Sequence, residues 1–521
     1  MPFPTRVRQE IETTAKTRQP RALQRHRTIE RPRLLALLNE SSARIRTLVA
    51  PAGYGKTTLA EQWVARDGRR RAWFTARRSS TDVAALALGI ARAATALVPD
   101  CDERLREHLR AVPSSAENSE LLAEILAEDL GGWPAEGWLV IDDYHEIVRR
   151  ADAERFVAAL LGNAAAQALI ASRQRPSWVT TRRILYGDVL ELNQTALAMD
   201  TVEAAEVLAD QSLQSASGLV AIANGWPAVI GLASVSGAQI DGDVEQVPES
   251  LYRFVAEEVY SALDAEVRAG LATLAIAPVL DRELAVKLLG AELAEATCAT
   301  GLDVGVIAER GVQLELHPLC RSFLEERSDQ LGFVRDDEAV ACCIEHFHEN
   351  RDWDAAFELI AKYGPLERLE TLLRDALDEL LESARISTID AWCDLAAQAG
   401  LENPVVLLAR AEATLRRGRY AEAQARAEAA AEGGSELTFR ALSVAGRAAH
   451  LASREEEGRA LYERAEAAAS SEVERRDARW GQLMCAVELE LLEAHESYQA
   501  LRAGIRYSDP REVVRAAAYG M

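Results

Sequence analysis

Apolar and polar positions fall into two regimes along the chain. From about residue 44 to 192, short apolar runs alternate with longer stretches of helical period. The runs "IRTLVA" (45–50), "RAWFTA" (71–76), "GWLVIDD" (137–143), "ALIAS" (168–172) and "DVLEL" (188–192) read as strands. Between them lie helical patterns such as "SSTDVAALALGIARAATAL" (79–97), where Ser79, Ser80, Thr81 and Asp82 are N-cap candidates. Apolar strands separated by helices predict a parallel sheet covered on both faces. After about residue 197 strands become rare. Residues 201–235 read as helices with a turn at "NGWP" (224–227). Residues 251–330 add helices and "VQLELH" (312–317), a short strand or wing, and everything beyond 331 reads as helix.

The last regime contains a repeat. Aligning 407–432 with 441–469 matches Ala411 to Gly446, Ala423 to Gly458 and Ala430 to Ala465, each 35 residues apart. The same step from Gly446 reaches Gly481. Small residues at a fixed period of this length predict stacked helical hairpins of the tetratricopeptide (TPR) kind, with the small side chains where helices cross closely. Met521 falls inside what reads as another hairpin, so a longer natural protein is expected.

Composition narrows this picture. With 521 residues, three or four domains are expected. Apolar residues are 49% and aromatics only 6%, which favours helices over sheet sandwiches. No apolar run approaches the roughly 18 residues of a membrane span, and the N-terminus has no apolar signal core. The seven cysteines include no CxxC pair, so neither a zinc site nor a disulfide framework is indicated. Reduced thiols and a cytoplasmic location are expected. Net charge is −23, but residues 1–33 hold nine Lys/Arg against three Asp/Glu, leaving about −29 on the remainder. So acidic a body is a poor partner for DNA phosphates.

Candidate chemistry concentrates in the first regime. "APAGYGKTTL" (50–59) sits between a strand and a helix, the context of a phosphate-binding loop. Gly53 and Gly55 allow positive φ, so that backbone N–H groups, including those of Tyr54 and Thr58, turn towards phosphate. Lys56 is placed to reach the β- and γ-phosphates, and the Thr57 hydroxyl to ligate Mg2+. Ala50 stands where the pattern usually begins with glycine, and it needs only to be small if its φ is negative. "WLVIDDY" is an apolar strand ending in two acids. Asp142 is placed to hold Mg2+ and Asp143 to orient or deprotonate the attacking water, although acids at a strand tip also cap turns. In "ALIASRQRPSW", Arg173 follows the next strand and reaches the same rim, where a guanidinium can read a γ-phosphate. Arg182 and Arg183 are weaker candidates.

The strings "APAGYGKTTLAEQW", "WLVIDDYHEI", "ASRQRPSW", "ANGWPAVIGLA" and "LHPLCRSFLEE" occur in the order seen in the MalT-like, LuxR-type transcriptional activators. These are signal-transducing ATPases with numerous domains (STAND), related to the NB-ARC switches. The resemblance is strong over residues 25–330 and looser through the repeats. It implies a multidomain α/β plus α protein: a basic lead-in (1–30), a P-loop NTPase domain (31–197), a small helical domain (198–245), a winged helix (246–330), a helical linker (331–400) and TPR-like repeats (401–521). It also implies a sheet in which the acid-tipped strand is separated from the loop strand by one other. By the same resemblance Pro227 in "GWP" packs on adenine, His317 in "LHPL" touches the β-phosphate of bound ADP, and Arg31 in "IERPRLL" borders the adenine pocket.

The family's C-terminal helix-turn-helix is absent from this sequence, and no basic recognition helix follows residue 400. DNA binding is therefore expected only through a segment beyond this one. The expected function is an ATP/ADP switch. An ADP-bound monomer rests, an inducer at the repeats promotes ATP binding and self-association, and slow hydrolysis resets it. A STAND ATPase with a non-DNA effector, a metabolic P-loop enzyme and a nucleotide-holding scaffold without hydrolysis are the alternatives.

Overall fold

A computed structural model describes residues 28–112, 118–208, 213–236, 260, 263–304, 306–310, 313–317, 320–321, 323–325, 337–432, 434, 436–503, 513–514 and 517–518. Nearly all of the basic lead-in and the residues around Met521 lie outside this set. The chain forms two compact units. The first draws on Met1–Arg77, Trp133–Arg149 and Ala165–Asn350, and the second on Arg78–Gly132, Arg150–Ala164 and Arg351–Met521.

The first unit holds a five-stranded, wholly parallel sheet: β1 (Ile45–Val49), β2 (Arg70–Thr75), β3 (Gly137–Asp142), β4 (Gln167–Ser172) and β5 (Val189–Asn193). Each predicted strand is present to within a residue or so. The order is β2-β3-β4-β1-β5, so one strand separates acid-tipped β3 from loop strand β1, as the family resemblance implies. Every β3 residue is buried, which explains its near-continuous apolar sequence. Because all five strands run the same way, β1, β3 and β4 end on one edge. Register fixes that edge: Val49 lies beside Ser172, and Thr75 beside Asp142.

Farther along, three helices follow: Thr201–Leu208, Leu213–Ile222 and Pro227–Ser236. The turn between the last two uses Asn224 and Gly225 in the left-handed region, φ 49° and 66°. A second sheet then forms from β6 (Leu280–Asp281), β7 (Ile307–Arg310) and β8 (Gln313–Leu316), antiparallel and ordered β6-β8-β7. The predicted 312–317 strand is thus the middle strand of a wing. Among the described residues no helix is long and apolar enough to cross a membrane.

The second unit is helical. Asp82 caps its Val83–Ala94 helix, its Oδ1 accepting from Ala84 N at 3.0 Å and Ala85 N at 3.2 Å. Its Oδ2 accepts from Thr388 N at 3.2 Å and Thr388 Oγ1 at 2.9 Å, on the Ile386–Gln398 helix. The repeats form the helices Pro404–Arg416, Tyr420–Glu432, Thr438–Leu451, Glu455–Ala468 and Glu472–Glu488. Their core is largely alanine: Ala411, Ala423, Ala430, Ala445 and Ala465 are fully buried in one cluster.

The small residues of the 35-residue period sit where the spacing predicts. A Cβ added at Gly446 would lie 3.0 Å from the buried Tyr462 ring, and one added at Gly481 would overlap the same ring. Tyr462 cannot retreat from one without closing on the other. Gly481→Ala is therefore expected to destabilise the repeats by about 1–3 kcal/mol, as overpacking does. Chemical denaturation measures it, and a midpoint equal to wild type would show that the ring is free to move.

Candidate nucleotide site

The loop between β1 and the Lys56–Ala65 helix is shaped by three backbone conditions. Ala50 is buried and has negative φ, and its N–H donates to Ser172 O at 3.2 Å. It extends the β1–β4 pairing by one residue, so alanine suffices there. Gly53 and Gly55 take φ of 77° and 70°, conformations that side-chain-bearing residues rarely adopt. Gly55 is the N-cap of the helix, and no side chain caps that end. The free N–H groups of the first turn and the positive end of the helix dipole are thus left for an anion.

Lys56 is nine-tenths buried and donates from Nζ to Pro51 O at 2.8 Å. Burial first, then the charge of Arg173, brings its pKa down to about 8, against the opposing pull of Asp143 and Asp142. Thr57 Oγ1 donates to Asp142 Oδ1 at 3.1 Å. The same oxygen accepts from Asp143 N at 2.9 Å. A hydroxyl held on a buried carboxylate is the oxygen donor set a divalent cation takes, so the residues present fit Mg2+. Asp143 has φ 52°, uncommon for a residue with a side chain, and its carboxylate remains 40% exposed. Thr58 follows in the first helical turn, partly buried.

Arg173 leaves the end of β4 exposed and makes no hydrogen bond or ion pair among the described residues. Its charge is felt at Lys56 and at His145. The loop, both acids and Arg173 therefore share one rim, as the strand order requires. Sequence reasoning gave no role to His145, although "WLVIDDYHEI" contains it. Its ring is only 10% exposed, with Nδ1 3.7 Å from Asp143 Oδ1 and Nε2 3.4 Å from Glu146 Oε1. Burial and then Arg173 lower its pKa below the ordinary histidine value, which keeps it neutral at neutral pH.

The remaining candidates are placed as follows. Pro227 begins the Pro227–Ser236 helix, directly after Trp226. The Trp226 indole Nε1 donates to Ala52 O at 3.0 Å. His317 follows β8, its N–H donating to Val306 O at 2.9 Å. Arg31 is engaged by the segment that follows β5. Its guanidinium donates to Leu197 O and Ala198 O, both at 2.9 Å, and to Glu203 Oε2 at 2.7 Å, where it is buried.

A glycine loop after β1, an acid-tipped β3 one strand removed and an arginine after β4 define a P-loop NTPase fold of the additional-strand kind, here continued by a wing and TPR-like helical repeats. Comparison with known proteins narrows this class. The HTH-type transcriptional regulator MalT of Vibrio cholerae is 24% identical over 412 residues, covering 70% of this chain and 45% of that protein. MalT of Serratia proteamaculans is 28% identical over 320 residues, covering 58% and 35%. The chain thus spans less than half the length of these relatives. A STAND protein with a tetratricopeptide repeat sensor from Pyrococcus horikoshii has the same fold. It matches with a TM-score of 0.67 at 17% identity, over 95% of this chain and 74% of that one. No protein-family model matches. The chain is MalT-like in sequence and STAND-like in architecture.

Proposed function

We propose that this chain is the nucleotide-gated, signal-sensing part of a MalT-like regulator. The observation that supports this best is the rim itself. A buried cation at a glycine loop, a hydroxyl–carboxylate pair, a second acid and an exposed arginine lie together on a scaffold that continues into repeat hairpins. In this reading the loop N–H groups and Lys56 bind the phosphates of ADP or ATP. Thr57 and Asp142 hold Mg2+, which supplies charge neutralisation when bound. Asp143 orients or deprotonates the attacking water, with His145 beside it, and Arg173 reads the γ-phosphate. Pro227 packs on the adenine, and His317 touches the β-phosphate in the ADP state.

The cycle that follows is a switch. The ADP form is a closed monomer, and an inducer binding the repeats favours an open form that takes ATP and self-associates. A ligand shifts such an equilibrium only by its differential affinity for the two forms, so a hundredfold shift needs roughly 3 kcal/mol.

Light scattering of the full chain with ADP and with ATP tests the assembly. Growth in mass with ATP is expected, and a monomer under every nucleotide and inducer would sink it. Asp143→Asn is expected to slow single-turnover phosphate release by about a hundredfold or more, within the range of general-base removal, while leaving ATP affinity near wild type. Phosphate release at the wild-type rate would remove Asp143 from the chemistry.

A further inference from the structure

Three consecutive residues of the phosphate loop are held by the turn that precedes the Pro227–Ser236 helix. The Trp226 Nε1 donates to Ala52 O at 3.0 Å, and Ala228 N donates to Gly53 O at 3.0 Å. The Trp226 indole also stacks on Tyr54, ring centroids 6.1 Å apart and planes 18° from parallel. Both rings are buried, at 6% and 3% exposure. Ala228 N is one of the N–H groups a helix start leaves without an intrahelical partner, and here the loop carbonyl takes it.

The turn is itself anchored to the backbone at Met199. Gly225 O accepts from Met199 N at 2.8 Å, and a Cβ added at Gly225 would lie 2.7 Å from Met199 O. With φ 66° as well, position 225 admits little but glycine, and the indole is thereby aimed at the loop. Tyr54 is held as well at its hydroxyl, where Gln194 Nε2 donates to the phenol oxygen at 2.9 Å.

Peptide geometry turns these contacts into a constraint on phosphate binding. A trans peptide is planar, and its C=O and the next N–H point in opposite directions. Fixing Ala52 O therefore fixes the Gly53 N–H, and fixing Gly53 O fixes the Tyr54 N–H. Lys56 Nζ does the same for the Ala52 N–H by binding Pro51 O. Two of these three planes are set by residues 226–228.

We infer that Trp226 is a positioning residue for the phosphate loop: it orients the Gly53 N–H while the neighbouring Ala228 N–H orients that of Tyr54, so the loop grips a nucleoside diphosphate only while the 225–228 turn is docked. Undocking that turn releases the diphosphate without any change in Lys56. The inference rests on the nucleotide-switch reading above and adds to it the element that couples the helical segment to the grip.

The test is the dissociation rate of a fluorescent ADP (N-methylanthraniloyl-ADP), chased with unlabelled ADP from the full chain. Trp226→Phe keeps an aromatic face but removes the donor to Ala52, and Tyr54→Leu removes the stack. Each is expected to raise the rate about fivefold, the effect of one contact. Trp226→Phe also loses a buried contact, so a merely structural role would lower the nucleotide-free melting temperature and leave the release rate of the folded variant at the wild-type value. Release at the wild-type rate from both folded variants would overturn the inference while leaving the nucleotide site standing. Failure of the wild-type chain to bind the probe would overturn both. Should Tyr54→Leu not fold, Trp226→Phe alone decides.

Discussion

Lys56→Ala is expected to weaken ADP and ATP binding roughly 30–150-fold in titration calorimetry, from the loss of about 2–3 kcal/mol of charge-assisted contact. The pH dependence identifies the group responsible. Lys56 has a pKa of about 8 in the folded chain, against roughly 10.4 for a free lysine. Folding therefore disfavours its charged form. Between these values the unfolded chain holds more protons, and the contribution of Lys56 to stability improves as pH rises. Nucleotide binding carries the opposite sign, because a polyphosphate favours the ammonium. Affinity should be flat below pH 8 and then fall by about tenfold per unit. In Lys56→Ala that fall should vanish. A wild-type affinity unchanged from pH 7 to 9.5 would remove Lys56 from the phosphate site.

Arg31→Met is expected to act on stability, not on nucleotide affinity. Its guanidinium binds Leu197 O, Ala198 O and Glu203 Oε2, and both charged side chains are buried, at 7% and 8% exposure. Removing one partner of a buried pair costs about 3–5 kcal/mol, because the other charge stays behind. Here the lower figure applies, since Arg33 still reaches Glu203 at 3.2 Å from a more exposed position. The corresponding thermal transition should fall by roughly 6–12 °C. If melting is unchanged and ADP affinity drops instead, Arg31 belongs to the adenine pocket, as the family resemblance implies.

What the sequence made legible follows from how local each signal is. The five strands are apolar runs with turn residues on both sides, so their bounds are readable almost to the residue. The glycine loop and the paired acids are contiguous motifs, and a parallel sheet must bring their ends to one edge. The 35-residue period was readable because Gly446 and Gly481 face one ring and tolerate nothing larger. Arg31 differs, since its partners lie 166 to 172 residues away and no local pattern announces them. His145 sits in a quoted motif, yet nothing in its spacing separates a buried ring beside Asp143 from an ordinary turn histidine. Trp226 reads as part of a turn until the loop carbonyls it meets are known. The N-cap of the Val83–Ala94 helix was narrowed to four residues, and only tertiary structure selects Asp82.

That selection bears on how position 82 can vary between related chains. Capping alone accepts Ser, Thr, Asn or Asp almost interchangeably. Asp82 uses one oxygen on its own helix and the other on Thr388, far away in sequence. A hydroxyl has one oxygen for both tasks, and an amide presents a donor where Thr388 N needs an acceptor. Substitutions at 82 and at 388 should therefore be read as a pair, and drift at one without the other marks a lineage in which this joint has been rebuilt.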